Sequence, residues 1–257
     1  MKKSFKEKIH LRKPIIGTLL TLNAPEIAEI LSLCRFDWLF IDMEHGPLSV
    51  SEVQHLIQAI GDHCSAMVRI PENDPTWIKK ALDIGSDGII VPLVNSAEEA
   101  KKAIAAAKYP PLGNRSVGIG RAHNYGMSFA EYVASANENI AVLIQVEHID
   151  AVKNLDAILA VEGIDGVFIG PYDLSGSMNL LGEVNNELVQ AAISTIKQKC
   201  HQKSMPVGLF VMKAEAAGKE IEDGCQLIAV GLDTALLANA ATEILTTVRS
   251  VHTDHHT

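Results

Sequence analysis

No run in this chain approaches the roughly 20 apolar residues that a membrane-spanning helix needs. The charged N-terminal stretch MKKSFKEK is not followed by the apolar core of a secretory signal. Basic charge is scarce as well. Lys and Arg number 22 against 31 Asp and Glu, which gives a formal charge of −9 and a pI near 5.5. Beyond MKKSFKEK no segment concentrates cations, so a phosphate backbone would find no basic face and nucleic acid is not an expected partner. The four cysteines, Cys34, Cys64, Cys200 and Cys225, show no CxxC spacing. They read as buried or idle thiols in a reducing compartment, and the expected location is the cytoplasm, with no membrane partner. GxSxG, Walker and HxH patterns are missing. So is any Gly- or Pro-rich linker that would divide the chain, and one domain over residues 1–257 is expected.

What the chain does have is apolar content, 47% with a mean hydropathy of +0.15, enough to bury a large core. Eight apolar runs recur at steady intervals: Ile15–Leu20, Trp38–Asp42, Ala66–Arg69, Gly88–Val91, Ala141–Gln145, Gly166–Ile169, Val207–Val211 and Leu227–Val230. They are short, rich in β-branched residues and continuous rather than alternating, as parallel strands buried on both faces are. Helix-period stretches lie between them, among them APEIAEILSLC, DPTWIKKALDIG and SAEEAKKAIAAAKY, several capped by Ser or Asp and ended by Gly. Eightfold strand–helix alternation at this length predicts an α/β fold, a (β/α)₈ or TIM barrel. Residues 1–13 form an N-terminal segment ahead of it. The tail 250–257, with three of the ten histidines in VHTDHHT, reads as a frayed terminus rather than a metal site. One interval is long: PPLGNRSVGIGRAHNYGMS follows a helix that ends at Lys108. Long inserts of this kind in compact domains are often functional, and this one is expected to fold over an active site.

The strand ends carry the chemistry. In a barrel of this class the C-terminal strand ends converge on one face. Here those ends present Asp42, Glu44 and His45, then Arg69, then Glu147, then Asp173. Glu147 and Asp173 make a carboxylate pair suited to a hard divalent cation such as Mg²⁺ or Mn²⁺, or else cap the helices that follow. The preceding Gly170-Pro171-Tyr172 favours the first reading, because glycine permits close backbone approach and proline stiffens the turn. Arg69 would hold a carboxylate or a growing oxyanion, or pair with one of the neighbouring acids. His45, on a turn closed by Gly46-Pro47, suits acid–base work near neutral pH, or a structural role. No strand contains an internal lysine, so a Schiff-base route has no obvious nucleophile. The ends of the seventh and eighth runs, LFVMK and VGLD, lack a glycine-rich phosphate cup, and a non-phosphorylated acid substrate fits better.

These segments, taken with Gly17, VRIPENDP, GIIVPLVNSAEEA, YPPLGNRSVG, IQVEH, GVFIGPYDLS and IAVGLDTALLA, resemble the HpcH/HpaI aldolases in order and spacing from about Ile15 to Val248. The EHGP and GPYDLS segments are the specific ones. The resemblance implies a class II, metal-dependent pyruvate aldolase that cleaves a 4-hydroxy-2-oxo acid into pyruvate and an aldehyde. It implies Mg²⁺, Mn²⁺ or Co²⁺ on Glu147 and Asp173, the pyruvyl enolate on Arg69, acid–base work by His45, and Gln145, Gly170, Pro171 and Tyr172 around the substrate. It also implies a homo-oligomer, a hexamer, built in part by the C-terminal helix. Asp83 resembles the acid that pairs with the histidine. It ends a helix ahead of the fourth run, on the face opposite His45, so the pair would need a neighbouring subunit. Leu19 stands where relatives carry tryptophan, Tyr172 where alanine or asparagine is frequent, and Ser116 where glycine is usual. Those three positions are expected to face the substrate and leave the aldehyde open. The competing readings are a citrate-lyase or malyl-CoA-lyase type enzyme, which would need a basic patch for CoA, and a catalytically silent metabolite-binding barrel.

Overall fold

The computed structural model describes residues 4–253. Each apolar run becomes a parallel strand: β1 Ile15–Leu20, β2 Trp38–Asp42, β3 Ser65–Arg69, β4 Gly88–Val91, β5 Ala141–Val146, β6 Gly166–Ile169, β7 Val207–Val211 and β8 Leu227–Leu232. They pair in chain order and close through β8 against β1. The crossovers are helical: α2 Pro25–Leu33, α3 Val50–Ile60, α4 Pro75–Asp83, α5 Ala97–Ala107, α6 Phe129–Asn139, α7 Ile149–Lys153, α8 Leu155–Ile158, α9 Pro171–Ser177, α10 Glu187–Gln202, α11 Ala214–Glu222 and α12 Asp233–Thr253. Ahead of β1, the short helix α1 (Phe5–His10) sends Phe5 and Ile9 into the barrel interior. The chain is thus a single-domain (β/α)₈ barrel. Among its described residues no helix is long and apolar enough to cross a membrane.

Local chemistry sets the register. Ser49 with Glu52, and Ser96 with Glu99, close reciprocal caps at the starts of α3 and α5 and satisfy N–H groups the helix itself leaves free. Asp37, Asp87 and Asp165 stand just before β2, β4 and β6. Each accepts a 2.8 Å bond from the second N–H of the preceding strand, at Ile16, Ala66 and Val142. That repeat pins three of the four odd–even strand pairs at the N-terminal face.

The barrel interior is an aromatic column. Phe5 meets Trp38 edge-on with centroids 5.6 Å apart, Trp38 stacks on Phe40 at 5.8 Å, and Phe40 meets Phe168 at 5.3 Å. Gly17 lies against this column because a Cβ there would stand 2.6 Å from the Trp38 ring. At the top, the Arg69 guanidinium carbon sits 5.2 Å from the Phe40 centroid, a cation–π contact. A rigid hydrophobic stem therefore supports the polar mouth.

The long insert does not cover that mouth. It connects α5 to β5, and helix-to-strand connections lie at the N-terminal face. Its contacts agree: the Arg121 side chain donates to the Ile84 carbonyl at 3.0 Å, and Gly120 approaches the Asp83 carbonyl so closely that a Cβ would stand 2.8 Å from it. It packs under the end of α4, so the expectation of an active-site cover is corrected for its own barrel. At the C-terminus α12 continues to Thr253, and residues 254–257 lie outside the described residues. From Leu236 to Ser250 this helix is exposed.

Candidate active site

Parallel pairing brings the strand-end acids and bases onto one rim. The β2–β3 register sets Asp42 beside Arg69. Arg69 donates from Nε to Asp42 Oδ1 at 2.9 Å and from Nη2 to Asp42 Oδ2 at 2.8 Å, a bidentate pair. Burial alone would raise the Asp42 pKa. Arg69 and the N–H groups of Glu44 and His45 outweigh it and hold the carboxyl below its usual range. With two donors committed, the third nitrogen of Arg69, Nη1, points toward Gln145 Oε1 at 3.5 Å and keeps spare capacity.

Gln145 links this arginine to the next acid, since its amide donates to Glu147 Oε2. Glu147 Oε1 accepts from the Leu93 N–H at 2.8 Å, so the carboxylate is aimed from two sides. Gly170, next to it, admits no side chain. A Cβ there would stand 2.7 Å from Glu147 Cβ and 2.8 Å from Oε2. Burial, then the nearby charge of Asp173, raises the Glu147 pKa, although Gln145 and Leu93 oppose the shift.

Glu44 completes the polar cluster. Its Oε2 lies 3.1 Å from Arg69 Nε, but that N–H is already given to Asp42. The oxygen is left buried with no hydrogen-bond partner. Burial, reinforced by the charges of Glu147, Asp42 and Asp173 and only partly offset by Arg69, pushes its pKa up to about 7. Four acids crowd a site that holds one arginine, and only Asp42 is fully paired with it. An orphaned buried carboxylate oxygen beside a like-charged pair is the electrostatic signature of a place for a cation, and the donors are hard oxygens. Among the described residues no three His, Cys, Asp or Glu side chains converge as a ready-made metal cage. Glu147 and Asp173 would therefore supply two positions and leave the rest to water or substrate.

Arg69, Asp42 and Gln145 line a cavity of about 430 Å³, together with Leu19, His45, Gly170, Pro171, Tyr172 and Asp173, while Glu44 and Glu147 lie outside its lining. His45 is largely exposed, and its Nε2 lies 3.9 Å from Glu44 Oε2. Among the described residues no lysine lines the cavity. Two expected residues are elsewhere. Asp83, at the end of α4, is held by Arg115 Nη2 at 2.6 Å, with Tyr132 on the same guanidinium. Ser116 lines a separate small hollow with Pro75 and Thr76. Neither reaches the mouth of its own barrel. Conversely, Asp42, Glu44 and the apolar walls Phe210 and Leu232 belong to the site without having been singled out for a role. The Asp42 signal is its position as the last residue of the strand beside Arg69.

A barrel with a carboxylate pair, a partly committed arginine and an exposed histidine at the C-terminal strand ends has its reactive groups on the face where barrel enzymes carry their active sites. The family model described as HpcH/HpaI aldolase/citrate lyase matches residues 16–240, and the chain belongs to that family. It is 41% identical over 244 residues to a 4-hydroxy-2-oxo-heptane-1,7-dioate aldolase of Escherichia coli, covering 94% of this chain and 93% of the relative. A solved HpcH/HpaI aldolase/citrate lyase family protein from Burkholderia cenocepacia superposes with a TM-score of 0.93 at 32% identity, covering 96% of this chain and 99% of that one. An HpcH/HpaI aldolase from Desulfitobacterium hafniense superposes with a TM-score of 0.89, also at 32% identity, over 96% of this chain and 97% of its own.

Proposed function

We infer that this chain is a divalent-metal-dependent pyruvate aldolase, reversibly cleaving a 4-hydroxy-2-oxo acid into pyruvate and an aldehyde. The observation that carries this is the hydrogen-bonded chain of Glu147, Gln145 and Arg69, with Glu147 buried behind a cavity that Gln145, Arg69 and Asp173 line and that, among the described residues, no lysine lines. The orphaned Glu44 oxygen and the raised Glu147 support a cation there. Mg²⁺, Mn²⁺ or Co²⁺ held by Glu147 and Asp173 would supply Lewis acidity toward the carboxylate and keto oxygens of the substrate.

The side chains divide the remaining work. In cleavage, His45 takes the proton of the C4 hydroxyl, the C3–C4 bond breaks, and its electron pair becomes the pyruvate enolate. The aldehyde leaves with the C4 oxygen. Nη1 of Arg69 offers positive charge where the C2 oxygen grows negative, and the Asp42 pair fixes the guanidinium plane. Protonation at C3 gives pyruvate. Gln145 keeps Arg69 and Glu147 in register. Chelation by EDTA should abolish pyruvate release, and Mg²⁺, Mn²⁺ or Co²⁺ should restore it. A lysine adduct trapped by borohydride with pyruvate would overturn the mechanism.

The same reading includes a homo-oligomer. Leu236, Leu237, Ile244, Leu245 and Val248 are exposed along α12, an apolar surface that a second copy of the chain would cover. In such an assembly Asp83, Ser116 and the insert would reach a mouth only from a neighbouring subunit. Light scattering on Leu237→Asp and Ile244→Asp tests this, since a smaller species is expected and an unchanged mass counts against it.

A further inference from the structure

The mouth is divided by strand. Its charged groups come from β2, β3 and the segments after β5 and β6. The opposite arc is apolar: Leu19 of β1 lies in register between Phe40 and Leu232 of β8, and Phe210 of β7 lines the same cavity. Thr21, the polar side chain on that side, spends its hydroxyl on Asp233 at 2.8 Å. Among the cavity-lining residues Arg69 is the sole Lys or Arg, and Asp42 already holds two of its nitrogens.

The arithmetic of charge then concerns the second half of the substrate. The carboxylate of the pyruvyl half would be met by the cation. A carboxylate at the far end of the aldehyde half would meet an apolar arc of its own barrel that no Lys or Arg lines, with Asp42 and Asp173 elsewhere in the cavity wall. We propose that the acceptor subsite selects uncharged aliphatic or aromatic aldehydes and disfavours aldehydes that carry a second carboxylate, with Leu19, Phe210 and Leu232 as the specificity-determining wall. This rests on the pyruvate-aldolase reading. It sets the chain apart from the E. coli relative, whose name specifies a dioate.

The test is aldol addition by the metal-loaded, full-length protein at saturating pyruvate, comparing kcat/KM for pentanal with that for succinic semialdehyde. Placing a carboxylate in an apolar subsite without a partner should cost about tenfold or more in favour of pentanal. Leu19→Lys should narrow that ratio several-fold, because a lysine stem lies along apolar surface while its ammonium reaches the cavity. Leu19→Met should keep the wild-type preference. Equal or better use of succinic semialdehyde by the wild type would overturn the proposal. So would an unmoved ratio in a Leu19→Lys protein that retains turnover. Exchange of pyruvate methyl protons with D₂O, followed by NMR, separates the two levels of inference. Exchange with a preference for succinic semialdehyde sinks the wall and spares the aldolase. No exchange and no turnover on any aldehyde sinks both.

Discussion

Replacing Gly170 with alanine should damage the metal site while leaving the barrel folded. The backbone there, φ −104° and ψ 86°, is open to an L-residue, so the effect is one of space rather than strain. The new carbon would stand 2.7 Å from Glu147 Cβ, 2.8 Å from Glu147 Oε2 and 3.4 Å from Gln145 Nε2. Ordinary carbon contacts begin near 3.5 Å, so Glu147 must retreat by about 1 Å. It cannot do so and keep the Leu93 N–H at 2.8 Å, a hydrogen bond to a charged group of a kind worth about 1.5–3 kcal/mol. Losing a group that orients a metal ligand typically costs about 10–100-fold in metal affinity. A 1 Å misplacement can cost about 10²-fold in rate. Calorimetric titration of Mn²⁺ and NMR of pyruvate methyl exchange would measure the two effects, with far-UV circular dichroism to confirm the fold. Metal affinity and exchange within twofold of the wild type would refute the claim that Gly170 positions Glu147.

Glu147→Gln and Asp173→Asn should each weaken metal binding with little change in melting temperature; wild-type metal response in both would remove the assigned ligands. Arg69→Ala should suppress methyl exchange and cleavage together, whereas His45→Ala should lose about 10²–10⁴-fold in cleavage and retain more of the exchange; parallel losses in the two variants would contradict the division of labour. The raised Glu147 carboxyl predicts that metal affinity falls as the solution is acidified, measurable by titration at a series of pH values. In the metal-free protein the Glu44 contribution to stability is full below its ordinary value of about 4.5 and is lost as pH rises through about 7. Glu44→Gln should therefore flatten the pH dependence of melting across that window.

Much of the barrel is legible in the sequence because parallel strands buried on both faces leave continuous apolar runs. Seven of the eight strands begin and end within one residue of those runs. β8 extends further, to Leu232, because the mouth is walled there by a side chain that also continues the apolar pattern. Glu147, Asp173, Arg69 and His45 are legible for a related reason: a charged residue ending a buried strand has few places to go except the rim. What the sequence conceals is lateral. That Asp42 occupies two of the Arg69 donors depends on the β2–β3 register, and that Glu44 is left without a partner depends on Asp42 having taken the shared N–H. The placement of the insert is a different matter. It follows a helix and precedes a strand, which is enough to assign it to the N-terminal face, and its length and glycine content point misleadingly to a cover.

The two faces of the barrel use the same residue type for opposite ends. Asp37, Asp87 and Asp165 come before their strands, where the neighbouring strand still offers an unpaired N–H, and each carboxylate is consumed in closing the sheet. Asp42, Glu147 and Asp173 come at or after strand ends, where the ladder has no such donors to give. Asp42 is neutralised by Arg69 and the turn that follows it. Glu147 receives one N–H from the loop after β4 and one from a side chain. Burial, with too few donors to offset it, is what raises the Glu147 and Glu44 pKa values. Strand direction alone thus converts an acid that stabilises the sheet into one that can hold a cation, and the aromatic column beneath Arg69 keeps the resulting cluster from collapsing into the barrel.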